Sequence, residues 1–229
     1  MFVDSADLIE IERLGRSDLV SGFTTNPTLM RQAGVTEYEP FAQKVLSIAN
    51  QKPVSFEVLA DDVPTIRSQA HRIASWGSEV YVKIPVCSAT GYPYLELINE
   101  LANQGVNINV TAVLTQEQIA GAIRALGTSS KGIVSVFAGR IADTGIDPVD
   151  VFKGIPPRKS IDQIELLWAS PREILNLRQA ESCGCDIITM TPALWSKLDL
   201  LGKDLNEYSV ETVQMFIRDA EEAGYVLLP

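Results

Sequence analysis

Three features of the sequence predict an α/β fold in which eight parallel strands close into a barrel. Short apolar, β-branched runs recur along the chain, amphipathic helical stretches separate them, and successive runs start between 20 and 32 residues apart. That spacing is close to what ~250 residues give when divided into eight strand-helix units. The runs are Phe2 to Asp4, Gly22 to Thr25, Pro53 to Val58, Val80 to Val86, Asn107 to Val113, Gly132 to Ala138, Ile164 to Ser170 and Asp186 to Thr191.

The helices between them carry start signals of their own. Thr115 with Gln118 forms a capping box ahead of the stripe Ile119, Ala122, Ile123 and Leu126. Ser170 with Glu173 reads as a second box, with Pro171 at the first helical position. Thr36 with Glu39 opens a helix carrying Phe41, Val45 and Ile48, and Val63, Ile66, Ala70 and Ile73 mark the next. His71 falls at the edge of that stripe and reads as a surface residue. The longest stretch without a regular pattern runs from Ala142 to Lys159, where a lid or an oligomer contact is expected. A last helix, Ser209 to Ala223, ends at Gly224 and is additional to the eight units, placed across the barrel or onto a neighbouring subunit. No Gly-, Ser- or Pro-rich linker divides the chain, so residues 1–229 are read as one barrel domain.

Composition narrows the chemistry. The 229 residues hold 19 Lys plus Arg against 29 Asp plus Glu, a net charge of −10 that repels polyanions and argues against nucleic-acid or anionic-membrane partners. A single histidine excludes imidazole relays and three-histidine zinc sites, so no metal and no metal-dependent aldolase chemistry is expected. The N-terminus shows no basic region followed by an apolar stretch, and no run approaches a membrane span, which places the protein in the cytoplasm. Cys87, Cys183 and Cys185 do not make a disulfide framework, and Cys183-Gly184-Cys185 has the wrong spacing for a zinc knuckle, so they read as packing residues.

Strands of a parallel barrel are covered on both faces, so a charge inside one needs a partner, a ligand or a reaction. Lys83 lies within Val80-Tyr81-Val82-Lys83-Ile84-Pro85-Val86. Burial there disfavours the ammonium and prepares an amine for attack on a carbonyl, the alternative being a lysine paired with a buried acid. Asp4 ends the first run and Glu57 lies near the end of the third, so both meet Lys83 if the strand ends converge on one mouth. Asp4 reads equally as a cap for the segment from Ser5, and Glu57 equally as the ion-pair partner of Lys83. Thr24, Thr25, Asn26, Asn109, Thr111, Ser135 and Ser170 add polar groups at other strand ends. Asn109 and Thr111, two apart, share a face. Arg140 and Arg172 follow the sixth and seventh runs, Arg172 in the expected first helical turn, and two guanidiniums at one rim suit bidentate phosphate capture. The residues together point to an imine-forming lysine acting on a phosphorylated carbonyl compound.

The ordered segments Gly22-Phe23-Thr24-Thr25-Asn26-Pro27-Thr28-Leu29, Val82-Lys83-Ile84-Pro85, Asn109-Val110-Thr111 and Ser135-Val136-Phe137-Ala138-Gly139-Arg140-Ile141 resemble the transaldolase family from Asp4 to about Pro192. The resemblance implies a class I aldolase TIM barrel with no metal and no organic cofactor. It implies Lys83 as the Schiff-base lysine, Asp4 as the acid/base of carbon–carbon cleavage, and Glu57 with Thr111 holding the water of imine formation and hydrolysis. Thr24, Asn26, Asn109, Ser135, Phe137 and Ser170 become substrate-binding residues, and Arg140 and Arg172 the phosphate pair. The implied reaction moves a dihydroxyacetone unit between sugar phosphates of the pentose phosphate pathway, and small members of the family form homo-oligomers.

The fructose-6-phosphate aldolase branch, the alternative reading, typically has glutamine at Glu57, tyrosine at Phe137 and an apolar residue at Asn109, so these three residues favour transfer. A catalytically silent scaffold is the remaining alternative, opposed by the joint presence of Lys83, Asp4, Glu57 and Thr111. Departures from the family pattern, Phe23, Cys87 and the proline of Ser170-Pro171-Arg172, are expected to border the mouth and to bear on substrate preference.

Overall fold

The computed structural model describes residues 1–128, 130–155 and 163–228. Its strands β1 (Phe2–Asp4), β2 (Gly22–Thr24), β3 (Val54–Glu57), β4 (Val80–Pro85), β5 (Ile108–Val113), β6 (Gly132–Val136), β7 (Ile164–Trp168) and β8 (Ile187–Met190) form a closed barrel in sequence order. Every pairing is parallel, and β1 closes the ring against β8. Each lies on one of the eight expected runs. The pairing stops one or two residues short of the expected C-terminal ends in most of them, because there the chain turns out to form the mouth.

Strand alternation divides each strand between two environments. The outward set, including Val54, Phe56, Val82, Ile84, Ile108, Val110, Val134 and Val136, is fully buried beneath the helices, which is why the runs are continuously apolar. Phe56 meets Tyr38 and Trp76 edge-on, with ring centroids 6.3 and 5.5 Å away. Phe23 also belongs to this outward layer, packed under Gly15 with no exposed surface. It therefore does not border the mouth, contrary to the sequence-based expectation.

The inward set is graded along the barrel axis. Phe2, Tyr81, Ile133, Leu167 and Ile187, from five strands, pack together as an apolar floor. Gly22 makes room for it, since a β-carbon there would lie 2.5 Å from the Phe2 ring. Two residues further along four of these strands the inward side chains are polar, Asp4, Lys83, Ser135 and Thr189, with Ala169 the apolar exception, and the site begins.

Helices α1 (Leu8–Gly15), α2 (Pro27–Gln32), α3 (Tyr38–Ile48), α4 (Val63–Ala74), α5 (Leu95–Asn103), α6 (Gln116–Leu126), α7 (Ala138–Asp143), α8 (Pro148–Lys153) and α9 (Leu175–Ser182) connect the strands, and α10 (Pro192–Trp195) follows the last of them. The Thr115–Gln118 capping box opens α6 as expected, and exposed His71 lies on α4, whose Ile66, Ala70 and Ile73 are buried. Three expectations need correction. Asp7, not Asp4, caps α1, accepting from the amides of Ile9 and Glu10. Thr36 caps nothing, because α3 begins at Tyr38 behind Glu37. Ser170 does not open a helix either: its φ of 61° turns the chain away, and α9 starts at Leu175. Arg172 consequently sits in a loop rather than in a first helical turn. Within the stretch read as irregular, Asp147 caps α8 with Pro148 at its first position. Pro156, Pro157 and Lys159, also part of that reading, lie outside the described residues.

Among the described residues no helix is long and apolar enough to cross a membrane. The chain divides into two compact units, Met1–Trp195 and Ser196–Pro229. The second contains a 3-10 turn at Leu198–Leu200 and α11 (Leu205–Glu222), which starts four residues earlier than expected because Asp204 caps it. Gly224, at φ 67°, follows its last turn.

Candidate active site

Parallel register sets the polar layer. Asp4 lies beside Thr24, and Glu57, Lys83 and Asn109 stand side by side on β3, β4 and β5. Asp4, Thr24 and Glu57 end their strands and Lys83 stands two residues from the end of β4, whereas Asn109 is the second residue of β5; strand C-terminal ends in a barrel of this kind open onto one mouth. A cavity of about 600 Å³ occupies that mouth, and eleven of the twelve residues to which the resemblance gives a role line it: Asp4, Thr24, Asn26, Glu57, Lys83, Thr111, Ser135, Phe137, Arg140, Ser170 and Arg172.

Lys83 is 5% exposed. Its Nζ donates to the Thr25 carbonyl at 2.8 Å and lies 3.3 Å from a Glu57 carboxylate oxygen. The amine is therefore held between a fixed acceptor and an acid that itself faces the cavity. Glu57 is placed by its strand, and Tyr38 donates to its backbone carbonyl at 2.8 Å. Burial pushes the Asp4 carboxyl above the usual carboxylate range, with the Lys83 ammonium and the Thr24 hydrogen bond opposing the shift.

The hydroxyl directions follow from proton counting. Thr24 donates to Asp4 at 2.8 Å and lies 2.6 Å from the Thr189 hydroxyl. With its single proton committed to Asp4, Thr24 accepts from Thr189. Asn109 does not line the cavity. Its amide nitrogen donates to Ser55 at 3.0 Å, and its oxygen accepts from Ser135 at 2.7 Å. It is a strut across β3, β5 and β6, and it leaves Ser135 facing the cavity as an acceptor. Thr111 Oγ1 is buried with no hydrogen-bond partner among the described residues. Next to it, Ala112 adopts a φ of 58° where β5 carries one residue more than β6, and both line the mouth.

The outer rim is built from loops. Phe137 precedes α7, and the Arg140 guanidinium lies 5.5 Å from its ring centroid. Ser170 and Arg172 follow β7. Asn26, which lines the cavity, caps α2 by accepting from the Leu29 amide at 3.0 Å. Sequence reasoning missed Thr189, Thr191, Ser55 and Ala112. The alternation Thr189-x-Thr191 at the end of β8 was a usable signal, the same one that singled out Asn109 and Thr111; the bend at Ala112 left no local trace.

Among the described residues no group of three or more His, Cys, Asp or Glu could hold a metal ion. The three cysteines are free thiols, and burial pushes Cys185, whose Sγ donates to the Leu166 and Ile187 carbonyls, up to about 12.

The family described as transaldolase/fructose-6-phosphate aldolase matches residues 1–227. A probable transaldolase of Dehalococcoides mccartyi is 33% identical over 83% of this chain and 85% of its own length. A probable transaldolase of Streptococcus agalactiae is 31% identical over 95% of both chains, and probable transaldolase 2 of Listeria monocytogenes is 32% identical over 86% and 87%. Among solved structures, a 2,3-dimethylmalate lyase superposes with a TM-score of 0.51 at 11% identity, over 100% of this chain and 85% of that one, a likeness of fold alone. The chain belongs to the transaldolase/fructose-6-phosphate aldolase family.

Proposed function

We propose that the protein is a transaldolase that transfers a dihydroxyacetone unit from sedoheptulose 7-phosphate to glyceraldehyde 3-phosphate, giving erythrose 4-phosphate and fructose 6-phosphate, through a Schiff base on Lys83. The observation that carries the reading is a lysine Nζ enclosed at the barrel mouth, 3.3 Å from one carboxylate and sharing a cavity with a second. The names of the relatives support it.

Glu57 takes the ammonium proton, and the free amine attacks the ketose C2 carbonyl. Loss of water, held by Glu57 and the unpartnered Thr111 hydroxyl, leaves an iminium that withdraws electrons from the C3–C4 bond. Asp4 removes the C4 hydroxyl proton, the bond breaks, an aldose phosphate departs and a three-carbon enamine stays on Lys83. In the second half the enamine carbon attacks the acceptor aldehyde while Asp4 returns its proton, and water held by Glu57 and Thr111 then adds to the regenerated iminium, whose C–N bond breaks to free fructose 6-phosphate and the Lys83 amine. A carboxyl whose pKa burial raises is suited to both directions. Thr24 and Thr189 orient it, Ser135 accepts from a donor hydroxyl, Asn26 donates to another, and Asn109 keeps Ser135 in place. Arg140 and Arg172, with Ser170, receive the phosphate.

Glu57 and Phe137 favour transfer over release of free dihydroxyacetone, since a phenyl ring has no hydroxyl with which to place a competing water. The reading extends to a cytoplasmic homo-oligomer of the pentose phosphate pathway. Val210, Val213, Phe216, Ile217 and Ala220 form an apolar stripe on α11 that a unit of one turn and one helix cannot cover by itself. Light scattering after size exclusion is expected to give a multiple of 25.0 kDa.

Borohydride reduction with fructose 6-phosphate is the test of the chemistry. A dihydroxyacetone-sized mass adduct on Lys83 is expected; no adduct with any ketose phosphate leaves a silent barrel. Free dihydroxyacetone released as the main product despite abundant acceptor would assign the protein to the aldolase branch instead.

A further inference from the structure

The two arginines of the rim come from different elements, Arg140 from α7 and Arg172 from the loop after β7, so their spacing has to be set by something that joins the two. Helix α7 presents Gly139 and Asp143, four residues apart and hence on one face, to that loop. The Ser170 carbonyl is seated on Gly139: a β-carbon there would overlap its oxygen, come within 2.8 Å of its carbonyl carbon and lie 3.2 Å from Arg172 Nε. The Gly139 amide also donates to the Ala169 carbonyl at 3.4 Å. One turn on, the Asp143 carboxylate pairs with the Arg172 guanidinium. The backbone of Arg172 is tied separately, its amide donating to the buried Asn176 side chain at 2.7 Å.

We propose that Gly139 and Asp143 are positioning residues that set the phosphate pincer, Gly139 by letting the loop close to the depth at which Arg172 faces Arg140, and Asp143 by aiming the guanidinium along the rim. The proposal rests on the reading of Arg140 and Arg172 as the phosphate site. Neither residue needs to touch substrate. Gly139 has no side chain to offer, and Asp143 is not among the residues that line the cavity. A carboxylate at the phosphate itself would repel it. Paired with Arg172, it can instead restrict a long side chain that is otherwise half exposed. The motif Gly139-Arg140-x-x-Asp143 then acts as one device, with the binding arginine flanked by the two residues that place its partner.

The test compares kcat/KM for glyceraldehyde 3-phosphate and for unphosphorylated glyceraldehyde as acceptors, using the full chain. Asp143→Asn is expected to lower the phosphorylated-to-unphosphorylated ratio at least tenfold through KM, with Tm and turnover of glyceraldehyde unchanged. Asp143→Glu is expected to recover most of the ratio. Gly139→Ala should lower it about a hundredfold, and because this variant forces a backbone shift that could prevent folding, the exposed Asp143 pair carries the decision. Arg172→Gln separates the two levels. If it leaves the ratio intact, the phosphate site itself is misassigned and the proposal falls with it. If Arg172→Gln collapses the ratio while Asp143→Asn holds it within twofold, or lowers both acceptors equally, the pincer device alone is overturned.

Discussion

The depth of the mouth and its rim are built on opposite terms. Asp4, Glu57 and Lys83 stand on strands of one barrel and largely out of water, so their separations are set by the barrel, and burial raises the Asp4 carboxyl. Arg140 and Arg172 stand on a six-residue helix and a loop, exposed and held by surface contacts. Groups on strands lose little freedom when they act, and burial makes their charges costly and reactive. Groups on loops stay solvated, cost little, and can be exchanged without disturbing the ladder. Under the proposed function, the covalent chemistry belongs to the strands and the choice of substrate to the loops.

Substitutions at the two depths should therefore differ in kind as well as in size. Lys83→Met is expected to have the largest effect, with activity falling to background in a coupled assay. Its Tm should stay within about 4 °C of the parent, because Glu57 faces the cavity and remains hydrated when its partner goes. A loss of folding would mean that the pair is structural.

Asp4→Asn should lower kcat by ~10²- to 10⁴-fold, as removal of a general acid/base does. The sign of its stability effect is opposite to that of most site losses. Burial holds the Asp4 carboxyl above its unfolded value of 3.8, so the folded state binds the extra proton and stability falls as pH rises from 3.8 through the folded value. The neutral amide removes that cost, so Tm at pH 7 should hold or rise. The parent kcat/KM should fall as acid protonates Asp4, on a limb lying above pH 3.8, and this limb should vanish in the variant.

At the rim, Arg172→Gln should reduce kcat/KM for phosphorylated acceptors by about 10- to 100-fold, the equivalent of one charge-assisted hydrogen bond at ~1.5–3 kcal/mol, with adduct formation at Lys83 intact. Abolition of the borohydride adduct would erase the proposed division of labour. The smallest effect is expected from Phe137→Tyr, at the border of the two regions. One added hydroxyl is worth roughly 1 kcal/mol and should raise the share of free dihydroxyacetone about fivefold, as read by product analysis with and without acceptor. An unchanged partition would remove the ring from the argument.

What could be read from sequence follows the same division. Lys83 stood out because a cation inside an apolar strand run has few explanations, and the eight runs were visible because both faces of a parallel strand are covered. The Thr115–Gln118 box was legible because it closes within four residues. Its counterpart, Ser170 with Glu173, fits the same pattern and failed, since Ser170 has a φ of 61° and its carbonyl is seated on Gly139, a contact between distant parts of the chain. Helix α8 carried an Asp147-Pro148 start signal that the surrounding glycines and prolines obscured. Asn109 was assigned to the mouth by its alternation with Thr111, but alternation gives a face and not a depth, and Ser55 and Ser135 occupy both ends of its amide.

The extra residue in β5 has a consequence for how such a wall can change over time. Below Val110 the strand keeps step with β6, and it regains step at Val113, so the left-handed Ala112 confines the irregularity to a single position of the ladder. Such a backbone costs about 1–2 kcal/mol in an L-residue and persists only because its neighbours dictate it. In return, two successive side chains look into the same chamber. Substitution at Thr111 changes what is displayed there without re-threading the strand beneath it.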